Sequence, residues 1–220
     1  MDTIATAAGW IHEQYVFGRR VRRLAAELAA IIPESSTVLD VGCGDGSVAR
    51  CLSDLRPDVS VRGLEVLVRD GAHIPVEWFD GSTIPCADAS VDVVLLVDVL
   101  HHTDDPSVLL REAVRVARHA VVLKDHTLDG VLAGPTLRFM DWVGNSRYGV
   151  ALPYNYWPRA QWLRVFQELG LRIEVWRQPH GLYPAPASWL FERSLHFVAL
   201  LAPAPSPVPA SSAFATSPGL

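Results

Sequence analysis

The chain has 220 residues, half of them hydrophobic, and a formal net charge of −5. This length and composition suit one globular α/β domain with a sizeable buried core. No run of basic residues is longer than two, so the clustered Lys and Arg that phosphate binding requires are missing, and we expect no nucleic-acid partner.

Cysteine use and hydropathy predict a cytoplasmic protein. The three cysteines form no Cys-x-x-Cys pair, and their odd number argues against a disulfide framework. Asp2 stands where a signal peptide would carry basic residues, and no apolar run approaches the ~18 residues of a membrane span. We therefore expect a reducing compartment, no signal peptide and no membrane span.

Hydrophobic periodicity divides the chain into alternating helices and strands. The run over 91–98 is so continuously apolar that we expect a central strand covered on both faces. In chain order, the sequence predicts a helix over 20–32, a strand over 37–41, a helix from Ser47, strands over 59–66, 76–79 and 91–98, a helix over 107–117, a strand over 119–124, a helix over 158–169, and strands over 171–177 and 195–201.

Three segments are less regular. A short helix or turn is expected over 69–73, and 131–143 has helical spacing that Gly134-Pro135 interrupts. From Ala202 onward the sequence is mostly Pro, Ala and Ser, which cannot bury enough apolar area to offset the entropy of ordering. We expect a disordered tail over 203–220.

Alternating strands and helices predict a mostly parallel seven-stranded sheet with helices on both faces. No helix separates the last two strands, so we expect them to be antiparallel. The predicted organisation is a single domain over 1–202, with an N-terminal helical cap over 1–33 and a substrate-covering segment over 125–157.

A glycine-rich loop follows the first strand and leads into a helix. Glycine has no Cβ, so Gly42, Gly44 and Gly46 allow positive φ and the close approach of a ligand to the backbone. A dinucleotide-binding loop needs glycine at the sixth position, where this chain has Ser47. The loop therefore disfavours a nicotinamide-dependent oxidoreductase, which stays open as the less favoured alternative.

Further polar residues follow the later strands, and ligands of open α/β sheets bind at the carboxyl ends of the strands. Glu65 ends the second strand, 19 residues after Gly46, where its carboxylate can accept hydrogen bonds from two ribose hydroxyls. The third, fourth and fifth strands deliver Asp80 with Gly81, then Asp98 with His101 and His102, then Asp125 with His126.

Four motifs resemble those of the class I S-adenosylmethionine-dependent methyltransferases, in the order and spacing of that family. They are Asp-Val-Gly-Cys-Gly-Asp-Gly at 40–46, Phe-Asp-Gly-Ser-Thr-Ile-Pro at 79–85, Ser-Val-Asp-Val-Val at 90–94 and Val-Leu-His-His-Thr-Asp-Asp-Pro at 99–106. They are most similar to the broad small-molecule branch, which includes quinone-biosynthesis C-methyltransferases. The resemblance extends from about Tyr15 to Ala202 and becomes weaker after Asp125.

The resemblance implies the Rossmann-like class I methyltransferase fold and S-adenosylmethionine as cofactor. The glycine loop would wrap the amino-acid end of the cofactor, whose ammonium and sulfonium suit an acid nearby, and the acid after the third strand would meet the adenine amino group. By position, the cofactor-binding residues are Asp40, Gly42, Cys43, Gly44, Gly46, Glu65, Asp80, Gly81 and Asp98.

The acceptor is expected to be a small, partly apolar organic molecule. His101, His102 and His126 are the candidate bases for a hydroxyl or amine acceptor. Flat rings with few charges between 125 and 157 predict a substrate-covering segment to which the N-terminal stretch around Trp10 and Tyr15 contributes. The candidate substrate residues are Tyr15, Asp125, Tyr154 and Tyr156; Trp142, Tyr148 and Trp157 belong to the same aromatic set.

Several alternatives stay open at this point. The acceptor atom is O, N or C, the base is one of the three histidines or none of them, and the oligomeric state is undetermined. A non-catalytic cofactor-binding subunit or regulator with the same fold would have the same motifs. No metal ligand is assigned.

Overall fold

Seven strands form one sheet in the computed structural model, which describes residues 17–145, 152–179 and 181–203. The strands are β1 (Thr37–Val41), β2 (Ser60–Glu65), β3 (Val76–Trp78), β4 (Val91–Val97), β5 (Ala117–His126), β6 (Leu171–Arg177) and β7 (His196–Pro203). Their order across the sheet is β3-β2-β1-β4-β5-β7-β6. The neighbours from β3 to β5 are parallel, whereas β7 is antiparallel to both β5 and β6, which confirms the predicted sheet.

Helices cover both faces of this sheet. They are α1 (Gly18–Ala29), α2 (Ser47–Leu55), α3 (Pro106–Val116), α4 (Ala133–Asn145), α5 (Arg159–Glu168) and α6 (Ala187–Phe191), with one 3₁₀ turn over Leu100–His102. None of these described helices has the length and apolarity needed to cross a bilayer.

The alternation of side chains along the inner strands separates two apolar cores. Val93 and Leu95 of β4 face a cluster that includes Leu24 of α1 and Leu52 of α2. The intervening residues of β4 face the opposite cluster, which α3 and α5 cover with side chains such as Trp162. A central strand with an uninterrupted apolar sequence is therefore buried on both faces, as predicted.

Some predicted elements are wrong or incomplete. The interruption expected at Gly134-Pro135 does not occur, because Pro135 lies in the first turn of α4, where a backbone N–H has no helical partner. The strand expected over 119–124 is longer at both ends. The segment 69–73 forms a turn, which is one of the two alternatives expected there. The expectation that no helix separates the last two strands is wrong, because α6 lies between β6 and β7.

Residues outside the described part include several that the sequence singled out. They are Trp10, Tyr15, Tyr148, the first half of the N-terminal cap and the tail from 204 onward.

The topology brings one end of all seven strands to the same edge of the sheet. The carboxyl ends of β1 to β6 share that edge because these strands run in the same direction. The amino end of β7 joins them because it runs the other way, so His196 of β7 pairs with His126 at the end of β5. Any site at this edge therefore draws on residues from both halves of the chain.

Candidate functional site

A cavity of about 570 Å³ opens at the carboxyl ends of β1, β2 and β4. Its volume is typical of pockets that bind a small molecule. Six of the nine predicted cofactor residues line it, together with one of the three predicted bases: Gly42, Gly44, Glu65, Asp80, Gly81, Asp98 and His102. Asp40, Cys43 and Gly46 do not line it.

The three glycines of the loop differ in their surroundings: Gly42 and Gly46 are packed against side chains, whereas Gly44 borders open space. All three have positive φ, of 73°, 61° and 77°. A Cβ on Gly42 would come within 2.6 Å of Val99 Cγ2, and one on Gly46 within 2.7 Å of Ile74 Cγ1. A Cβ on Gly44 would meet no atom within 4 Å. Gly44 therefore faces the space that a ligand would occupy.

Glu65 fixes the loop and keeps acceptor capacity toward the cavity. One carboxylate oxygen accepts the N–H of Gly44 at 2.7 Å, and the other accepts those of Val66 at 2.9 Å and Leu67 at 3.2 Å. A carboxylate has about four acceptor positions, so at least one remains for a ligand hydroxyl.

Asp40 is a buried acid beneath the loop with an unsatisfied oxygen. Its Oδ1 has no hydrogen-bond partner among the described residues. Burial, and the nearby charge of Glu65, raise the pKa of Asp40 to about 7. A cationic group bound at the loop would favour the ionised form of Asp40, so this orphaned carboxylate fits the ammonium and sulfonium of S-adenosylmethionine.

Asp80 and Asp98 line the cavity, and both carboxylates already have partners within the protein. Asp80 Oδ1 accepts from Thr83 N at 2.7 Å and Ser82 N at 2.8 Å, and these backbone hydrogen bonds lower its pKa. Asp98 has a positive φ of 56° and forms ion pairs with Arg20 of α1 and Lys124 of β5. Burial would raise the pKa of Asp98, but the two cations hold it well below its usual value.

His101 is enclosed between two carboxylates. Its Nδ1 lies 2.6 Å from Asp125 Oδ1, and its Nε2 lies 3.4 Å from Asp141 Oδ2. Burial alone would lower the pKa of His101, but the two carboxylates raise it to about 10. An imidazolium at neutral pH cannot accept a proton, so His101 is a poor general base.

His126 and His196 lie deeper in the same wall. Burial and the adjacent Lys124 ammonium lower the pKa of both histidines well below the usual value. His196 Nε2 lies 3.0 Å from the carbonyl oxygen of Phe191, to which it donates, so its Nδ1 accepts from Lys124 Nζ at 3.3 Å. Neither His126 nor His196 lines the cavity, so His126 is not placed to meet a substrate there.

His102 is the one predicted base that lines the cavity. Its ring centroid is 4.1 Å from that of His101. Burial and the charge of His101 lower the pKa of His102, so at neutral pH its ring is unprotonated. A half-buried neutral imidazole at the mouth of a cavity can accept a proton from a ligand.

The predicted substrate residues do not all reach open space. Asp125 and Tyr156 are buried, and the Tyr156 hydroxyl donates to Asp141. Tyr154 is half-buried, with the Arg138 guanidinium 5.2 Å above its ring. None of these three predicted residues lines the cavity, and Tyr15 lies outside the described residues, so the structure does not bring the predicted substrate residues to the cavity.

Asp141, Arg20 and Lys124 are site residues that the sequence analysis did not assign. Asp141 follows Leu137 by about one helical turn and lies on the same buried face of α4. An acid on the apolar face of an amphipathic helix is unusual, so this position could have identified Asp141 from the sequence. Arg20 and Lys124 carry no such signal, because their ion pairs with Asp98 join residues that are distant in the chain.

Two groups of side chains have the spacing of metal ligands, within 4.8 Å of one another: Asp98, His101 and His126, and His101, His102 and Asp141. The Lys124 ammonium beside Asp98 disfavours a cation in the first group. The geometry of the second suits either a shared ion or a protonated imidazole between carboxylates.

Comparison with known proteins places this site in a family. A family model described as a methyltransferase domain matches residues 10–175. The chain is 31% identical over 124 residues to 27-O-demethylrifamycin SV methyltransferase of Amycolatopsis mediterranei, which covers 50% of this chain and 45% of the relative. It is 29% identical over 159 residues to 2-methyl-6-phytyl-1,4-hydroquinone methyltransferase of Synechocystis, covering 67% of this chain and 42% of the relative.

A solved structure has the same fold. An S-adenosylmethionine-dependent methyltransferase from Aquifex aeolicus superposes with a TM-score of 0.57 at 18% identity, covering 83% of this chain and 91% of that one. The chain spans less than half the length of the two curated relatives. The family match covers most of the chain and agrees with the strand order and the glycine loop, and the chain therefore belongs to the class I S-adenosylmethionine-dependent methyltransferases.

Proposed function

We propose that this chain transfers the methyl group of S-adenosylmethionine to a small, partly apolar organic acceptor. The observation that carries the proposal is Gly44, which faces open space beside the carboxylate of Glu65 at the mouth of a 570 Å³ cavity. Family membership supports the reaction type. The two relatives are named for a 27-O-demethylated acceptor and a hydroquinone, which supports a hydroxyl-bearing acceptor and leaves O- and C-methylation open.

The residues at the cavity suit the successive parts of the cofactor. Glu65 would accept hydrogen bonds from the ribose hydroxyls, and Asp80 would meet the adenine amino group. Asp40 would balance the positive charge at the amino-acid end from beneath the loop. The loop glycines would let that end lie against the backbone. Asp98 contributes mainly its position, because Arg20 and Lys124 already neutralise its charge.

When bound, the cofactor supplies a methyl group already activated by the sulfonium. The protein then has to align the acceptor and remove its proton. His102 is placed to take that proton, because it lines the cavity and is neutral at neutral pH. Positioned general bases contribute roughly 10²–10⁴-fold to such rates.

The segment after β5 would form one wall of the acceptor site. Asn155 ties it to the loop that carries the histidine pair: its backbone N–H donates to His101 O at 3.1 Å, and its Nδ2 donates to Thr103 O at 2.7 Å. This attachment holds the stretch around Asn155 against the loop that carries His101 and His102. Arg138 and the rings of this wall suit a flat, partly apolar molecule.

A paired binding and transfer experiment tests the proposal. Calorimetry should show binding of S-adenosylmethionine and no comparable binding of NAD. Formation of S-adenosylhomocysteine should then be screened across phenols, hydroquinones, amines and carboxylic acids. His102→Gln should slow transfer by roughly 10²-fold or more with cofactor affinity retained. His119→Gln, a change at an exposed histidine, should alter neither.

The outcomes separate the remaining alternatives. Binding of NAD in place of S-adenosylmethionine would contradict the cofactor assignment. Cofactor binding without transfer to any acceptor class would favour a non-catalytic subunit of the same fold. Full activity in His102→Gln would remove His102 from the mechanism.

A further inference from the structure

Carboxylates lie close to both ring nitrogens of His101. Asp125 approaches Nδ1 to 2.6 Å and Asp141 approaches Nε2 to 3.4 Å. The three side chains are almost fully buried, with exposures of 1%, 0% and 8%. The Nδ1 contact is a hydrogen bond, and the Nε2 contact is an ion pair without hydrogen-bond geometry. A neutral imidazole carries one N–H and no charge, whereas an imidazolium carries an N–H on each ring nitrogen and a positive charge. A buried carboxylate also requires a compensating positive charge.

Further contacts hold this arrangement in place. The Tyr156 ring stacks on His101 with centroids 5.4 Å apart, and its hydroxyl donates to Asp141. Asp125 Oδ1 also accepts the backbone N–H of His126 at 2.8 Å. His101 therefore has little freedom to rotate away from either carboxylate.

The charge on His101 acts on the neighbouring histidine. The two rings are 4.1 Å apart, and like charges at that separation in a protein repel strongly. The other charged groups facing His102 are Asp141, Asp125 and Asp98, which favour its protonation. Asp98 is already paired with two cations, and Asp125 and Asp141 are engaged by His101.

We propose that His101 is a positioning residue: Asp125 and Asp141 hold it as a buried imidazolium, and its charge keeps the adjacent His102 unprotonated and able to accept the acceptor's proton. This inference rests on the proposed role of His102 as the base. It assigns to Asp141 and Tyr156 the task of keeping His101 charged.

Titration of the full chain labelled with ¹⁵N in its histidines tests the proposal without any acceptor. Both ring nitrogens of His101 should report an imidazolium at pH 8, while His102 should titrate below the ordinary histidine value. His101→Gln should raise the His102 midpoint by about one pH unit, the usual size of an environmental shift. His119→Gln, at an exposed site, should leave it unchanged.

Asp141→Asn provides a second variant that nearly preserves shape if His101→Gln fails to fold. Loss of one of its two carboxylates should bring the deprotonation of His101 to lower pH. The spectrum of the unaltered protein is informative by itself, since a neutral His101 at pH 7 would overturn the proposal. A stoichiometric metal ion in the purified protein that is lost in His101→Gln would also overturn it, because the ion would then take the place of the proton.

The pH dependence of activity distinguishes the charge coupling between His101 and His102 from the proposed role of His102 as base. If His102 is the base, His101→Gln should shift the acidic limb of the kcat/KM profile upward by the same amount as the His102 midpoint. A shift in the midpoint with no shift in the profile would contradict the role of His102 as base and leave the charge coupling intact. An unmoved midpoint would contradict the coupling itself.

Discussion

The glycines of the loop have different tasks, and single substitutions should separate them. Gly44→Ala places a methyl group in open space at φ 61°, so the folded protein should lose only about 1–2 kcal/mol from backbone strain. Cofactor affinity should fall steeply, because that methyl enters the ligand's space. Gly42→Ala should instead destabilise the fold further, since its Cβ would overlap Val99. Denaturant unfolding and calorimetry measure both effects, and equal stability losses would contradict this division.

Glu65 should govern cofactor affinity through charge-assisted hydrogen bonds. Glu65→Gln keeps the size of the side chain but replaces one acceptor oxygen with a donor, so ribose binding should weaken by about 1.5–3 kcal/mol, or roughly tenfold to 100-fold. Calorimetry with S-adenosylmethionine measures the change. Glu168→Gln, at an exposed carboxylate of α5, is the matched control and should bind normally. An unchanged affinity in Glu65→Gln would disprove the ribose assignment.

The ionised form of Asp40 should lower the stability of the cofactor-free protein, and bound cofactor should restore that stability. Its folded pKa of about 7 exceeds that of an unfolded Asp, so its contribution is fully present below about pH 4 and lost as the pH rises to about 7. Asp40→Asn should therefore raise the melting temperature of the free protein at pH 8 by a few degrees, and lower its cofactor affinity. A lower melting temperature at pH 8 would show that the ionised form is already stabilised.

At the scale of elements, the contact of α4 with the ends of β4 and β5 should depend on pH. The folded pKa of His101 is raised to about 10, so the stability that it contributes is fully present below about pH 6.5 and lost as the pH rises through about 10. Asp141→Asn should be less stable at pH 7 and should lose less stability between pH 7 and 10. Calorimetric melting across that range measures it. Parallel curves for Asp141→Asn and the unaltered protein would argue against the pairing.

The elements also show what sequence can and cannot predict here. Periodicity located the strands because their apolar residues pack on two helix layers, and the alternation of Val93 and Val94 between opposite cores is local information. The position of Pro135 in the first turn of α4 is not visible from its neighbours. The Asp141–His101 contact joins elements distant in the chain, so it needed the fold. The histidines were predicted as a set, and only burial and neighbouring charge distinguish them.

The whole molecule should be stabilised by its cofactor. A ligand that binds only the folded state at one hundred times its Kd adds about 2.7 kcal/mol, and each kcal/mol raises the melting temperature of a chain of this size by about 2–4 °C. Saturating S-adenosylmethionine should therefore raise the melting temperature by about 5–11 °C. NAD at the same concentration should have no effect. Thermal scans with both ligands measure this, and equal shifts would argue for nonspecific binding.

The antiparallel β7 has a consequence for how the protein is made. It lies between β5 and β6 in the sheet, yet it is the last of the described strands to leave the ribosome. Until then the backbone donors and acceptors along one side of β5 have no strand to pair with, and exposed strand edges invite pairing with other chains. During synthesis the chain is therefore prone to pair with other chains until β7 inserts beside β5. The same insertion brings His196 to Lys124. Completion of the sheet and completion of the charged wall of the site are one event.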